Sequence, residues 1–131
     1  TVVNNLSAGL NYARMEAVKR GIKVSVCSAS NASLNNCGSA TQWTQGWLIF
    51  LDADNNDQVN STLNLIRVNE ALPSGTQVTA SSNIISYDGS GFVTSGTFSF
   101  TITATGCKGN NARVLTVTSS GRLSIAKTVC T

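Results

Sequence analysis

Apolar positions change their period once along this chain, at Gly21. Residues 1–20 carry apolar or small side chains at Val3, Leu6, Leu10, Ala13 and Ala17, a three-four spacing that makes one stripe on a helix. Asn4, Asn11, Arg14 and Lys19 fall outside that stripe or on its flanks. Gly21 stops the helix, since glycine accepts the left-handed backbone that closes a helical C-terminus, and Lys19, Arg20 and Lys23 suit the negative end of its dipole. Beyond it the period becomes two: IKVSVC (22–27), GWLIFLD (46–52), LNLIRVN (63–69), TQVTA (76–80), NIISYD (83–88) and TFSFTITA (97–104), then a closing hairpin. Glycine, asparagine and serine clusters separate these runs, and the lone proline, Pro73, opens a turn. One helix followed by about seven short strands predicts an α+β fold, a single N-terminal helix packed on antiparallel sheets. The expected organisation is one domain over 1–131, with the helix at 1–20 and a β-rich globular region at 22–131.

The last hairpin can be drawn in register. With 112–118 and 122–129 as strands turning at Ser119, Ser120 and Gly121, residues whose numbers sum to about 240 face each other. Arg113 then opposes Lys127, and Cys130 lands opposite Asn110, three residues from Cys107. Leu115, Val117, Leu123 and Ile125 share one parity and are expected in the core, whereas Arg122 has the other and is expected in solvent.

Four cysteines occur without any histidine and without a C-x-x-C spacing, so zinc has no ligand set. Disulfides are the better reading. Cys27 and Cys37 bracket a polar loop that a short bridge would tie down, and the hairpin register favours Cys107 with Cys130; both imply an oxidising compartment. A chain of 131 residues buries roughly two-thirds of its unfolded surface, enough for a core without such bridges. Only 11% of residues are charged, nine basic against six acidic. The resulting +3 permits weak attraction to anions and falls far short of a dedicated nucleic-acid binder.

Sites of chemistry are hard to find. Asp52, Asp54, Asn56 and Asp57 imitate the start of a calcium loop, yet Asp57 replaces the glycine of the sharp turn and Leu63 the bidentate glutamate at its end. A solvated turn after a buried strand accounts for them. Ser124 and Lys127 fit S-x-x-K, but on a strand they point to opposite faces. With no histidine there is no Ser-His-Asp triad, and Gly89-Ser90-Gly91 lacks the context of a dinucleotide site. Neither an enzyme, a cofactor nor a resident metal is expected. Trp47 leads an apolar strand and reads as core; Trp43 is expected to pack over the cysteine loop.

In order along the chain, LNYARMEAVKRGIKVSVC, WTQGWLIFLDADNN, LIRVNEALPSGTQV, NIISYDGSGFV, GTFSF and VTSSGRL resemble the minor type IV pilins and pseudopilins of the FimT, FimU and GspH group. The run from Ala13 to Arg20 and that at 46–56 are the most specific parts. The resemblance implies a long N-terminal helix whose hydrophobic upstream half would span the inner membrane, and a β-rich periplasmic head that later reaches the cell surface in the pilus. The abrupt start of the stripe and the lack of a visible signal for export fit a targeting segment that was removed or lies upstream. Partners implied are other major and minor pilins and, through the upstream helix, the inner membrane. FimT-like relatives that serve natural transformation resemble one another in a C-terminal GRxR motif that contacts DNA. Here the motif reads Gly121-Arg122-Leu123-Ser124, half its charge gone, so weak and sequence-independent DNA binding is the second reading. Arg122, Lys127 and Arg113 are its candidates, drawn as one small basic edge. A type II secretion pseudopilin is the third.

Overall fold

The computed structural model describes residues 2–30, 37–39, 42–52, 59, 64–70, 72, 75–94, 96–104 and 106–130. Its one long helix, α1, runs Val2–Arg20. Leu6, Leu10, Ala13 and Ala17 are all buried, while Val3 is half-buried, so the stripe is the packed face. Gly9 sits beside it, and a Cβ there would lie 3.2 Å from Trp47 Nε1; small residues at 9, 13 and 17 let the helix axis come close to the sheets. At the C-terminus Gly21, with φ of 68°, donates its N–H to Ala17 O at 2.9 Å, the αL closure that any other residue adopts at a cost.

Eight strands follow among the described residues, one for each of the six alternating runs and two for the closing hairpin: β1 Val24–Ser28, β2 Trp47–Leu51, β3 Leu65–Asn69, β4 Thr76–Ala80, β5 Ile84–Tyr87, β6 Phe98–Ala104, β7 Ala112–Val117 and β8 Leu123–Thr128. They form two antiparallel sheets, ordered β3-β2-β1-β5 and β4-β6-β7-β8. α1 lies against β1 and β5 of the first sheet and β7 of the second. The main core fills the space between: Val24, Val26, Trp47, Ile49 and Ile85 from one sheet, Phe98, Phe100, Ile102, Leu115 and Val117 from the other.

The first sheet is covered on both faces, which explains why β2 reads as a continuous apolar run, WLIFL, and why every residue of β1 is buried, its serines included. Its far face carries Cys27, Leu48 and Phe50. The Cys27–Cys37 disulfide, with a Cα–Cα distance of 5.5 Å, brings Cys37 onto that face, and Gly38 N–H donates to Ser28 O at 2.7 Å. A second disulfide joins Cys107 to Cys130 across 5.9 Å between Cα atoms and closes the open end of the last hairpin. Lys23 and Asp52, which bracket the β1–β2 pair, form a 3.3 Å ion pair whose carboxylate is fully buried.

Two expectations change. Trp43 lies not over the cysteine loop but between the sheets, on the short 3₁₀ turn Trp43–Gln45. It meets Phe100 edge-on at 4.8 Å and Phe98 at 6.3 Å, and its Nε1 donates to Ser82 O at 3.0 Å; a buried indole needs that acceptor. Ile125 shares the core parity yet is 45% exposed. β8 is an edge strand at the rim of its sheet, and nothing described is packed over its far half.

The final hairpin has the drawn register, with Arg113 opposite Lys127 and Val117 opposite Leu123. Its turn is bound to the helix through a second loop. Val93 N–H donates to Ser119 O at 2.9 Å, and Arg14 Nε to Gly91 O at 3.0 Å. Gly121 has φ of 86° and is buried; a Cβ there would collide with the Gly91 carbonyl and the Arg14 side chain. The glycine of the GRLS segment is therefore a packing residue. Gly121→Ala should lower stability by about 2–3 kcal/mol, from left-handed backbone strain and the lost close approach. Replacing the exposed Arg122 by Gln should change it by less than about 0.5 kcal/mol. Urea denaturation of the two variants beside wild type checks both.

Candidate functional site

The register that pairs Arg113 with Lys127 also separates both from Arg122. Arg122 lies just beyond the turn, whereas Arg113 and Lys127 lie five residues further along their strands, about 17 Å at the usual rise. They also differ in parity. Arg113 and Lys127 share the face of Leu115 and Ile125; Arg122 is on the other. The basic edge drawn from the sequence is therefore not one surface. Its arithmetic placed partners across the hairpin and left faces out of account.

The Arg14 side chain packs on Gly121, the buried residue before the exposed Arg122. Nearby, burial pushes the Tyr87 hydroxyl well above its ordinary pKa, with the Arg14 charge opposing. Around Arg14, on the exposed side of the helix, lies an apolar surface whose residues the sequence reading did not single out. Met15 is 67% exposed, Val18 52% and Phe92 52%, and Gly91 brings the Phe92 loop against Val18. Met15, Val18, Tyr12, Arg14, Glu16 and Lys19 line a shallow groove on the helix's outer side. The signal was present as Met15 and Val18, apolar residues three apart that the buried stripe does not use.

On the flank of that groove, polar groups pin the helix to β3. The Arg67 guanidinium lies 5.2 Å from the centroid of the Tyr12 ring, a cation–π contact. Glu16 accepts from Arg20 Nε at 3.3 Å. A hydrogen bond from Tyr12, then Arg20 and Lys19, hold the Glu16 carboxyl below its ordinary pKa despite its burial; burial and Glu16 in turn raise that of Tyr12. A carboxylate whose folded pKa is depressed stabilises the fold above its unfolded pKa, and that contribution disappears as pH falls through the folded value. Tyr12→Phe removes the largest of these effects. The variant should be less stable than wild type at neutral pH, with the gap closing on acidification; a gap that persists at low pH would mean the tyrosine acts through packing alone.

Candidate chemistry fares as follows. Of the calcium-like run only Asp52 falls among the described residues; Asp54, Asn56 and Asp57 lie outside them. The Asp52 carboxylate is engaged with Lys23. Among the described residues no group of three His, Cys, Asp or Glu could hold a metal ion. Ser124 and Lys127 lie on β8, on opposite faces. At Gly89-Ser90-Gly91 the Asp88 carboxylate accepts from the N–H groups of Ser90 and Phe92 at 2.8 and 3.1 Å, a self-contained turn. No helix among the described residues is long and apolar enough to cross a membrane.

Residues 2–121 match the family described as type II transport protein GspH. No curated protein matches the chain in sequence. In structure it is similar to the type IV minor pilin FimU of Pseudomonas aeruginosa in two crystal forms, both at 20% identity. One has a TM-score of 0.71, covering 94% of this chain and 88% of that one, and the other 0.73, covering 94% and 84%. It is also similar to the minor pseudopilin EpsH from the type 2 secretion system of Vibrio cholerae, with a TM-score of 0.61 and 15% identity over 95% of this chain and 92% of that one. These identities speak for the fold: one N-terminal helix on two antiparallel sheets. The match over residues 2–121 speaks for descent, and the chain belongs to the GspH family of minor pilins and pseudopilins.

Proposed function

We propose that this protein is a minor pilin, a structural subunit without catalytic activity that helps start or cap a type IV pilus by docking laterally with major and minor pilins. The supporting observation is the outer face of α1. The helix has spent its Leu6, Leu10, Ala13 and Ala17 stripe on the sheets, and Met15, Val18 and Phe92 remain exposed beside Arg14 and Lys19, the composition of a contact surface with an apolar centre and charged rim. In this reading the head occupies one domain, stands in the periplasm with an anchor in the inner membrane, and moves to the cell surface in the filament. Deleting the gene should reduce surface pili. Wild type should restore them, and a folded Met15→Glu, Val18→Glu double variant should not. Full numbers of functional pili in the deletion strain would end the initiation role. Failure of type II secretion in that strain, with piliation intact, would replace it by the pseudopilin reading.

A second reading, weak DNA binding, is favoured by the exposure of Arg122 at the turn, one residue beyond the Gly121 on which Arg14 packs. Two cations neutralise about two phosphates, so binding would be indifferent to sequence and abolished at moderate salt. Amide shifts on titrating duplex DNA at low salt should appear at residues 119–124 and vanish in Arg122→Gln. Shifts confined to Arg113 and Lys127 would move the contact to the other end of the hairpin, and no shifts in DNA excess would reject it.

A further inference from the structure

Between the first turns of α1 and the far end of the second sheet lies a cleft of about 620 Å³. Val3, Ile102 and Ile125 supply apolar walls, and Asn4, Asn111 and Arg113 supply polar groups. This is the end of the sandwich where β8 is uncovered and Ile125 meets solvent. A mostly apolar concavity with a few convergent polar groups is the usual form of a binding site.

Arg113 is the informative member. It lies on the inner face of β7, directly across from Ile102 on one side and Lys127 on the other. Two cations opposite each other across a strand pair repel, and no ion pair among the described residues relieves them. Among the described residues neither makes an ion pair, the two such pairs being Arg20–Glu16 and Lys23–Asp52. Among the described residues, the half-buried Arg113 guanidinium makes one hydrogen bond, from Nη1 to the adjacent Ala112 O at 3.2 Å. Its remaining donors form a planar fork that matches a carboxylate.

We propose that this cleft binds a carboxylate carried on an aliphatic stretch of a partner polypeptide, an Asp or Glu set between apolar side chains. The carboxylate pairs with the Arg113 fork, its charge offsets the repulsion from Lys127 across the strands, and the flanking side chains cover Val3, Ile102 and Ile125. An anionic membrane fits less well, because headgroup-binding surfaces gather about four to eight cations and this site has two. A second copy of the chain is also a poorer fit. Three of its six acids are already engaged, Glu16 with Arg20, Asp52 with Lys23 and Asp88 with backbone N–H groups. The proposal rests on reading the protein as a subunit of an assembly, but not on which assembly.

The test uses the isotope-labelled chain and a short blocked peptide with one glutamate between leucines, its glutamine counterpart, and vesicles of phosphatidylglycerol. The glutamate peptide should bind saturably, shifting amides of residues 102–104, 113 and 125–127, and the glutamine peptide should bind at least about tenfold more weakly. Lys127→Glu gives Arg113 an internal partner across the strands, so it should raise the melting temperature and abolish peptide binding. Arg113→Gln should abolish binding too. The proposal is overturned if both peptides bind equally, if neither binds, if vesicles alone produce the shifts, or if the shifts report self-association. Each of these results can be obtained with piliation intact, so failure here is distinct from failure of the pilin role.

Discussion

Burial of one narrow stripe of α1 sets most of what this molecule can do. Leu6, Leu10, Ala13 and Ala17 lie at the junction of two sheets that are not hydrogen-bonded to each other. The helix is therefore the common wall of the core, and removing Leu10 alone would cost about 2–5 kcal/mol by the usual large-to-small cost. Because Gly9, Ala13 and Ala17 are small, the helix sits close enough for its flanks to reach the neighbouring loops. Arg14 touches the Gly91 and Gly121 turns, and Tyr12 meets Arg67 of β3.

That geometry leaves two surfaces unfilled, at opposite ends of the second sheet's last hairpin. Near the turn, the Met15, Val18 and Phe92 surface is apolar with Arg14 and Lys19 at its edge. At the disulfide-closed end, the cleft beside Ile125 has Arg113, with Lys127 across the strands from it. Both combine apolar centre and positive rim, which disfavours pairing with a like copy and favours a partner that brings carboxylates. A subunit that must join unlike neighbours benefits from two such selective contacts.

Much of the fold was legible because its determinants are local. The helix stripe, its stop at Gly21 and the hairpin register around Gly121 each follow from periodicity and turn chemistry within about 20 residues. The cysteine pairs Cys27–Cys37 and Cys107–Cys130 of the structure likewise join segments close in sequence. What was not legible depends on which faces are covered. Ile125 has core parity but sits on an edge strand; Trp43 looks like the lid of a loop but fills the gap between sheets that its neighbours Phe98 and Phe100 create from 55 and 57 residues away. The same limit governs the candidate cations. Sequence arithmetic puts Arg113 opposite Lys127, but only the assembled sandwich sets Arg113 in the wall of a cleft and packs Arg14 on Gly121.

The central claim is that the outward face of α1 is where this subunit meets other pilins. Its most direct measurement places a photo-activated cross-linking amino acid at Met15 in cells making the assembly, with the same group at exposed Ser124 on the outer face of β8 as the comparison. Adducts with pilin subunits from position 15, and few from 124, are the predicted result. Equal yields from both positions, or none to any pilin from position 15, would contradict it.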